Sequence, residues 1–189
     1  MRVTPTALPD VKLIVPTKFE DERGFFVESY NQRALAAHGI DVVFVQDNHS
    51  LSRRAGVVRG LHFQTEPFAQ HKLMRVTRGS IFDVAVDVRT GSPTFGRHVA
   101  LRLNADDPSQ LLIPVGFAHG FCTLEPDTEV MYKVSAVYSP EHDKGILWND
   151  PALGIAWPVD PAHAVLSDKD KRNPKLADLP SYFRYAPPA

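Results

Sequence analysis

Cysteine is almost missing from this sequence. Cys122 is the only one in 189 residues, so no intramolecular disulfide can form, and the chain suits a reducing cytoplasm. An excess of either charge is missing too: 21 Lys and Arg stand against 22 Asp and Glu, a formal net charge of −1. That balance excludes a general affinity for nucleic acid or anionic membrane, and leaves any anion to local Arg and Lys groups. No apolar run is long enough to span a bilayer, and the opening MRVTP lacks a signal peptide's apolar stretch. There is no internal repeat, low-complexity stretch or convincing linker. The expectation is a soluble, cytoplasmic protein with one domain over 1–189, since a single core commonly serves a chain of this size.

What is plentiful is punctuation. The 16 prolines and 11 glycines divide the chain into short segments, which argues against a helical bundle. Period-two alternation recurs. In 81–88 (IFDVAVDV), Phe82, Val84, Val86 and Val88 share one face, and Asp83, Ala85 and Asp87 the other. In 128–138, Val130, Tyr132, Val134, Ala136 and Tyr138 fall together. Segments 72–78 and 80–88 meet at Arg78-Gly79-Ser80, which reads as a hairpin turn. Segments 97–103 and 110–114 also read as strands. One helix is expected near 31–38, with Asn31 as its cap and Gly39 just past its end. The tail after Pro174 reads as loop, with Pro187-Pro188 frayed at the end. Many short strands with regular turns imply an all-β antiparallel sandwich or barrel, best matched by a jelly roll.

Polar side chains on apolar strands are the informative positions. His62 lies in GVVRGLHFQ (56–64), Lys72 in KLMRV (72–76) and His119 in PVGFAHGF (114–121). By parity Lys72 sides with Met74 and Val76, and Tyr132 with Val130 and Val134, so both point inward. An ammonium against apolar surface is costly without a partner or ligand, which suggests a pocket. Each residue also has an ordinary reading, as a networked histidine, a core aromatic or an exposed lysine. Asp83 and Asp87 read as a hydrated face or as structural ion pairs. His49, His71, His98, His142 and His163 read as surface or loop residues.

Pro-x-Gly followed by His ends many jelly-roll metal sites, so PVGFAHGF raises the question of a metal. Such a site needs three or four converging ligands. A second histidine is required close after His62, but Phe63 and Gln64 follow it. Glu66 is a poor substitute beside Pro67. No metal is expected.

These motifs resemble the dTDP-4-dehydrorhamnose 3,5-epimerase family. The matching blocks are RGFF (23–26), QDNHS (46–50), GVVRGLHFQ (56–64), QHKLMRV (70–76), SIFDVAVDVR (80–89) and SPTFG (92–96). IPVGFAHGF (113–121), EVMYK (129–133), YSPE (138–141), WNDP (148–151) and LSDKD (166–170) follow in order. The resemblance implies a dimeric, cupin-type jelly roll with a few short helices, no cofactor and a dTDP-linked 4-keto-6-deoxy sugar as substrate. It implies His62 as base, Tyr132 as acid, Asp170 as the partner of His62 and Lys72 beside the keto oxygen. It places Arg23, Glu28, Gln46, Asp47, Asn48, Arg59, His119 and Lys169 among the ligand contacts, with Arg23 and Glu28 serving a neighbouring subunit. Tyr138 resembles the aromatic on which thymine stacks. Asp143 stands where the family usually has glutamate.

The chemistry is coherent. A 4-ketone acidifies the hydrogens on carbons 3 and 5, and a neutral imidazole suits their removal. A carboxylate fixes its tautomer. Tyrosine supplies a proton to the other face, lysine steadies the enolate oxygen, and guanidinium groups match a diphosphate. His62 and Arg59 lie on opposite faces of a regular strand, yet the resemblance has both meet the ligand; Gly60 between them is a place where a bulge would realign one of them, which the sequence leaves open. Two alternatives stay open: an epimerase of carbon 3 or carbon 5 alone, which keeps the same groups, and a non-catalytic carbohydrate-binding jelly roll.

Overall fold

The computed structural model describes residues 1–187, so Pro188 of the terminal pair expected to fray lies outside the described residues. The chain opens with β1 (Arg2–Pro5), β2 (Lys12–Val15) and a separate hairpin of β3 (Lys18–Asp21) and β4 (Gly24–Val27). Helix α1 (Gln32–Ala36) follows, then β5 (Gln46–Ser52), β6 (Val58–Gln64), β7 (Lys72–Arg78), β8 (Ser80–Asp87) and β9 (Arg89–Thr90). The remainder is β10 (His98–Asn104), β11 (Gln110–Ile113), β12 (Phe117–Thr123), β13 (Thr128–Val134), β14 (Asp143–Gly145) and β15 (Phe183–Arg184), with three short 3₁₀ turns near the end.

A six-stranded sheet in the order β1-β2-β11-β7-β13-β5 faces a five-stranded sheet in the order β10-β8-β12-β6-β14. Every pairing within these two sheets is antiparallel. The chain alternates between the two sheets from β5 to β8 and again from β10 to β14, as in a jelly roll. Between the sheets, Met74, Val76, Ile81, Ala85, Leu111, Ile113, Phe121 and Val130 form one apolar cluster. It fills one part of the barrel and leaves another for a cleft.

The second sheet is covered on its outer face as well. Leu61, Phe63, Val84, Val86, Val88 and Ala118 pack there against Ile146, Leu153 and Phe183. Of the two readings of Asp83 and Asp87, the structural pairs hold and the hydrated face does not: both are fully buried, because their face of β8 looks into the barrel, with Asp83 hydrogen-bonded to His119 and Asp87 ion-paired with Arg89. The tail after Pro174 is largely loop, as expected, and is anchored where β15 pairs with β9 and Phe183 reaches Phe63.

The expected hairpin of 72–78 with 80–88 does not form. β7 pairs with β11 and β13, while β8 pairs with β10 and β12 in the other sheet. Gly79, at φ +72°, turns the chain across the barrel, and a Cβ there would collide with Thr128. The residue types of a tight turn are the same whether the chain folds back or changes sheets. The helix matches expectation: Asn31 accepts from the Ala34 N–H at 3.1 Å, and Gly39 follows with φ +76°.

Candidate active site

β6, β7, β12 and β13 bring their polar side chains into one cleft. A pocket of about 270 Å³ is lined by Ser50, Arg59, His62, Lys72, His119, Tyr132, Lys169 and Asp170 among others. An adjoining pocket of about 130 Å³ shares His62, Lys72 and Tyr132 and adds Gln46, Asn48, Tyr138 and Asp143. The parity expected for Lys72 and Tyr132 holds, since both face this cleft.

The opposed parity of Arg59 and His62 is resolved on β6. His62 lies opposite His119 and Arg59 opposite Phe121, so Gly60 and Leu61 together face Gly120 alone. This is a bulge, and it turns both side chains toward the cleft. Glycine is required on each strand. Gly60 has φ +111°, a Cβ on it would lie 2.6 Å from the His119 oxygen, and one on Gly120 would lie 2.6 Å from the Arg59 oxygen.

His62 Nε2 stands 2.5 Å from Asp170 Oδ1. With its N–H donated to the carboxylate, the neutral ring keeps its lone pair on Nδ1. Burial pushes the Asp170 carboxyl up, but the hydrogen bond and charge of His62, with Ser167 and the Gly60 N–H, outweigh it and hold the group below its ordinary value. Asp170 therefore stays ionised beside the ring. Burial pulls the Lys72 ammonium down to about 8, against the attraction of Asp143 and Asp83. Its Nζ donates to the His62 carbonyl at 3.3 Å. Burial raises the Tyr132 hydroxyl above its usual value, with Arg59 opposing and Asp143 adding, so it is protonated at neutral pH. One cleft thus holds an imidazole paired with a carboxylate, a protonated phenol and an ammonium group.

At the mouth, Asp143 accepts from the Tyr138 hydroxyl at 3.1 Å and pairs with Lys169. Arg59 donates to Ser52 Oγ at 3.2 Å. Three expected contacts lie elsewhere in this chain. Asp47 projects from the opposite face of β5 and pairs with Lys133 at 2.8 Å. Arg23 sits at the tip of the β3–β4 hairpin beside Asp21, and Glu28 follows that hairpin and accepts from Asn31. The hairpin exposes Phe19, Phe25 and Phe26, each more than 60% accessible.

Ser50, Ser167 and Asp83 belong to the site or its immediate support and escaped the sequence reading as such. Asp83 carried a signal, a carboxylate on an apolar strand. Ser50 and Ser167 carried none, since serine is common in loops and on exposed strands. Among the described residues no three or more His, Cys, Asp or Glu side chains are grouped to hold a metal. No helix among them is long and apolar enough to cross a membrane.

A jelly roll with a His–Asp pair, a tyrosine and a buried lysine converging in its barrel defines a cupin-like acid–base enzyme. Comparison with known proteins makes this specific. The family model described as dTDP-4-dehydrorhamnose 3,5-epimerase matches residues 5–178. The chain is 54% identical over 179 residues to the dTDP-4-dehydrorhamnose 3,5-epimerase of Sinorhizobium fredii (strain NBRC 101917 / NGR234), covering 95% of this chain and 91% of that protein. The crystal structure of the Bacillus anthracis str. Ames dTDP-4-dehydrorhamnose 3,5-epimerase, with TDP and PPi bound, matches with TM-score 0.89 and 53% identity, over 92% of this chain and 98% of that one. The dTDP-6-deoxy-D-glucose-3,5-epimerase of Legionella pneumophila Philadelphia 1, in complex with dTDP-4-keto-L-rhamnose, matches with TM-score 0.92 and 42% identity, over 98% and 99%. The chain belongs to the dTDP-4-dehydrorhamnose 3,5-epimerase family.

Proposed function

We propose that this protein epimerises carbons 3 and 5 of a dTDP-linked 4-keto-6-deoxyhexose. The observation that carries the reading is the His62–Asp170 pair sharing one cleft with the Tyr132 hydroxyl and the Lys72 ammonium. His62 Nδ1 takes the proton from carbon 5 or carbon 3. Asp170 holds the ring and stabilises the imidazolium that results. Lys72 faces the C4 oxygen as enolate charge develops there. Tyr132 returns a proton from the opposite face, and its raised hydroxyl keeps that proton until it is needed. No step calls on a metal or organic cofactor.

Arg59 and Lys169 suit the diphosphate, and Tyr138 offers its ring to thymine at the mouth. The exposed aromatic hairpin carrying Arg23 suits a second copy of the chain, so the working form is a homodimer in which Arg23 and Glu28 complete the neighbour's cleft. The buried, unpaired Cys122 suits the reducing cytoplasm, where the reading places the reaction. Neither nucleic acid nor membrane has a role. The 42–54% identities to proteins named as 3,5-epimerases favour action at both carbons over a single one.

The test is NMR of product formed in deuterium oxide from dTDP-4-keto-6-deoxyglucose. Deuterium at carbons 3 and 5 of an inverted product is expected. Deuterium at one carbon alone would identify a single epimerase, and none would leave a binding protein.

A further inference from the structure

We infer that Ser50 hydrogen-bonds a ring hydroxyl of the hexose, at carbon 2 or carbon 3, and so helps to seat the reacting sugar. The inference rests on the epimerase reading. It starts from an unmatched group: the Ser50 Oγ is buried and has no hydrogen-bond partner in the protein. A buried hydroxyl without a partner is costly, and an unpaired one inside a working cleft is accounted for by what the cleft binds.

Its position follows from the strand. Along β5, Gln46, Asn48, Ser50 and Ser52 share the cleft-facing side. Asn48 lies opposite Tyr132 on β13, and Ser50 opposite Val130. Ser52, one step further, is taken by the Arg59 guanidinium. Gln46 and Asn48 hydrogen-bond each other at 2.8 Å. Ser50 alone in this row is left uncommitted, in the wall that also carries the acid.

Its chemistry selects the ligand group. The keto oxygen and the phosphate oxygens only accept, and Lys72 and Arg59 only donate, so those groups match each other. A sugar hydroxyl both donates and accepts. Its proton needs an acceptor, and Asp170 is already engaged by His62, Ser167 and the Gly60 N–H. Ser50 can give and take at once. On a 4-keto-6-deoxyhexose linked through carbon 1, the free ring hydroxyls are those on carbons 2 and 3.

The experiment compares wild type with Ser50→Ala on three dTDP-linked substrates: the 4-keto-6-deoxyhexose, its 2-deoxy analogue and its 3-deoxy analogue. The readout is kcat/KM for deuterium uptake at carbon 5, which all three can undergo. Where an analogue reacts too slowly to follow, its inhibition constant against the parent substrate serves instead. Ser50→Ala should lower the parent value roughly tenfold, chiefly through KM. It should change the value by less than twofold for the one analogue that lacks the partnered hydroxyl, and which analogue this is names the carbon. Because no protein partner is lost, the melting temperature should not fall. Equal loss on all three substrates, no loss on the parent, or a fall in melting temperature with parallel losses would overturn the assignment. Failure of the epimerase reading is separate, since wild type would then not process the parent substrate at all.

Discussion

Two His–Asp pairs stand side by side in this barrel and differ in one respect that decides their roles. His62 and His119 face each other across β6 and β12, and each has Nε2 2.5 Å from a carboxylate oxygen. The His62 side chain is 29% accessible, whereas that of His119 is 5%. Asp170 comes from a 3₁₀ turn and is further held through Ser167; Asp83 sits mid-strand with its second oxygen unpartnered. Equal geometry within the pair therefore does not make equal chemistry. A base must present a lone pair to a substrate that arrives and leaves, and the more open imidazole is the one suited to the role proposed for His62. The buried pair is suited to contact a ligand with a fixed donor array while its ring stays in place.

His62→Ala should break the comparison hardest. A general base is worth about 10²–10⁴-fold, and loss of that order is expected for deuterium exchange at both carbons. A variant that still exchanged at a near-normal rate would shift the base to His119. Tyr132→Phe should come next, with epimerised product reduced some hundredfold, in line with loss of a general acid. Here deuterium should still enter recovered substrate, because His62 can remove a proton and return it to the same face. A core tyrosine with no chemical role would instead lose stability, about 1–3 kcal/mol if a partner were stranded, and exchange and product would fall together.

A smaller effect should appear with pH. Lys72 titrates at about 8 because burial opposes its charge. Below that pH the ammonium is present, and above it the neutral amine cannot stabilise the enolate oxygen. The value of kcat/KM, which reports the free enzyme, should therefore fall as pH rises through about 8, approaching tenfold per unit. A profile flat to well above pH 9 would show that neither pair works beside a lysine whose charge matters.

The same contrast shows what a sequence can reveal. β8 and β13 announce themselves by apolar alternation, and parity alone aims Lys72 and Tyr132 inward. β5 does not, because its cleft-facing side is Gln46, Asn48 and Ser50, all polar, and its outer side is also largely polar. The hairpin misreading at Gly79 has a similar origin, since turn residues report a change of direction but not the sheet being entered. Gly60 was legible only as a place for a bulge, because the family resemblance asked Arg59 and His62 to meet the same ligand. Asp83 resembled a solvated carboxylate because strand alternation does not say which face looks into the barrel; the apolar face of Val84, Val86 and Val88 is the outer one, covered by Leu153 and Phe183 from far along the chain, and Asp83 lies inside.

The smallest effect, that of Asp83→Asn, separates the two pairs most finely when it is set beside Asp170→Asn, the same change made next to the other histidine. Asp170→Asn replaces the group that fixes the base. An amide can present its N–H to the ring, which favours the tautomer whose lone pair faces away from the cleft, and it cannot balance an imidazolium. Loss on the order of 10²-fold or more in kcat is expected. Asp83→Asn makes the same change beside His119, where the reading has no proton moving. The amide oxygen can still accept from His119 Nε2–H, and a buried carboxylate with one unpartnered oxygen is replaced by a neutral group of similar size. The fold should hold, and kcat should drop by only about threefold, with the larger share of any change in KM, because the proposed part of His119 is in ground-state binding alone. Measuring kcat and KM for both variants in parallel, with melting temperatures as the control for folding, decides the matter. If Asp83→Asn costs as much in kcat as Asp170→Asn in a well-folded protein, both histidines transfer protons, and the division of labour drawn from their exposure is wrong.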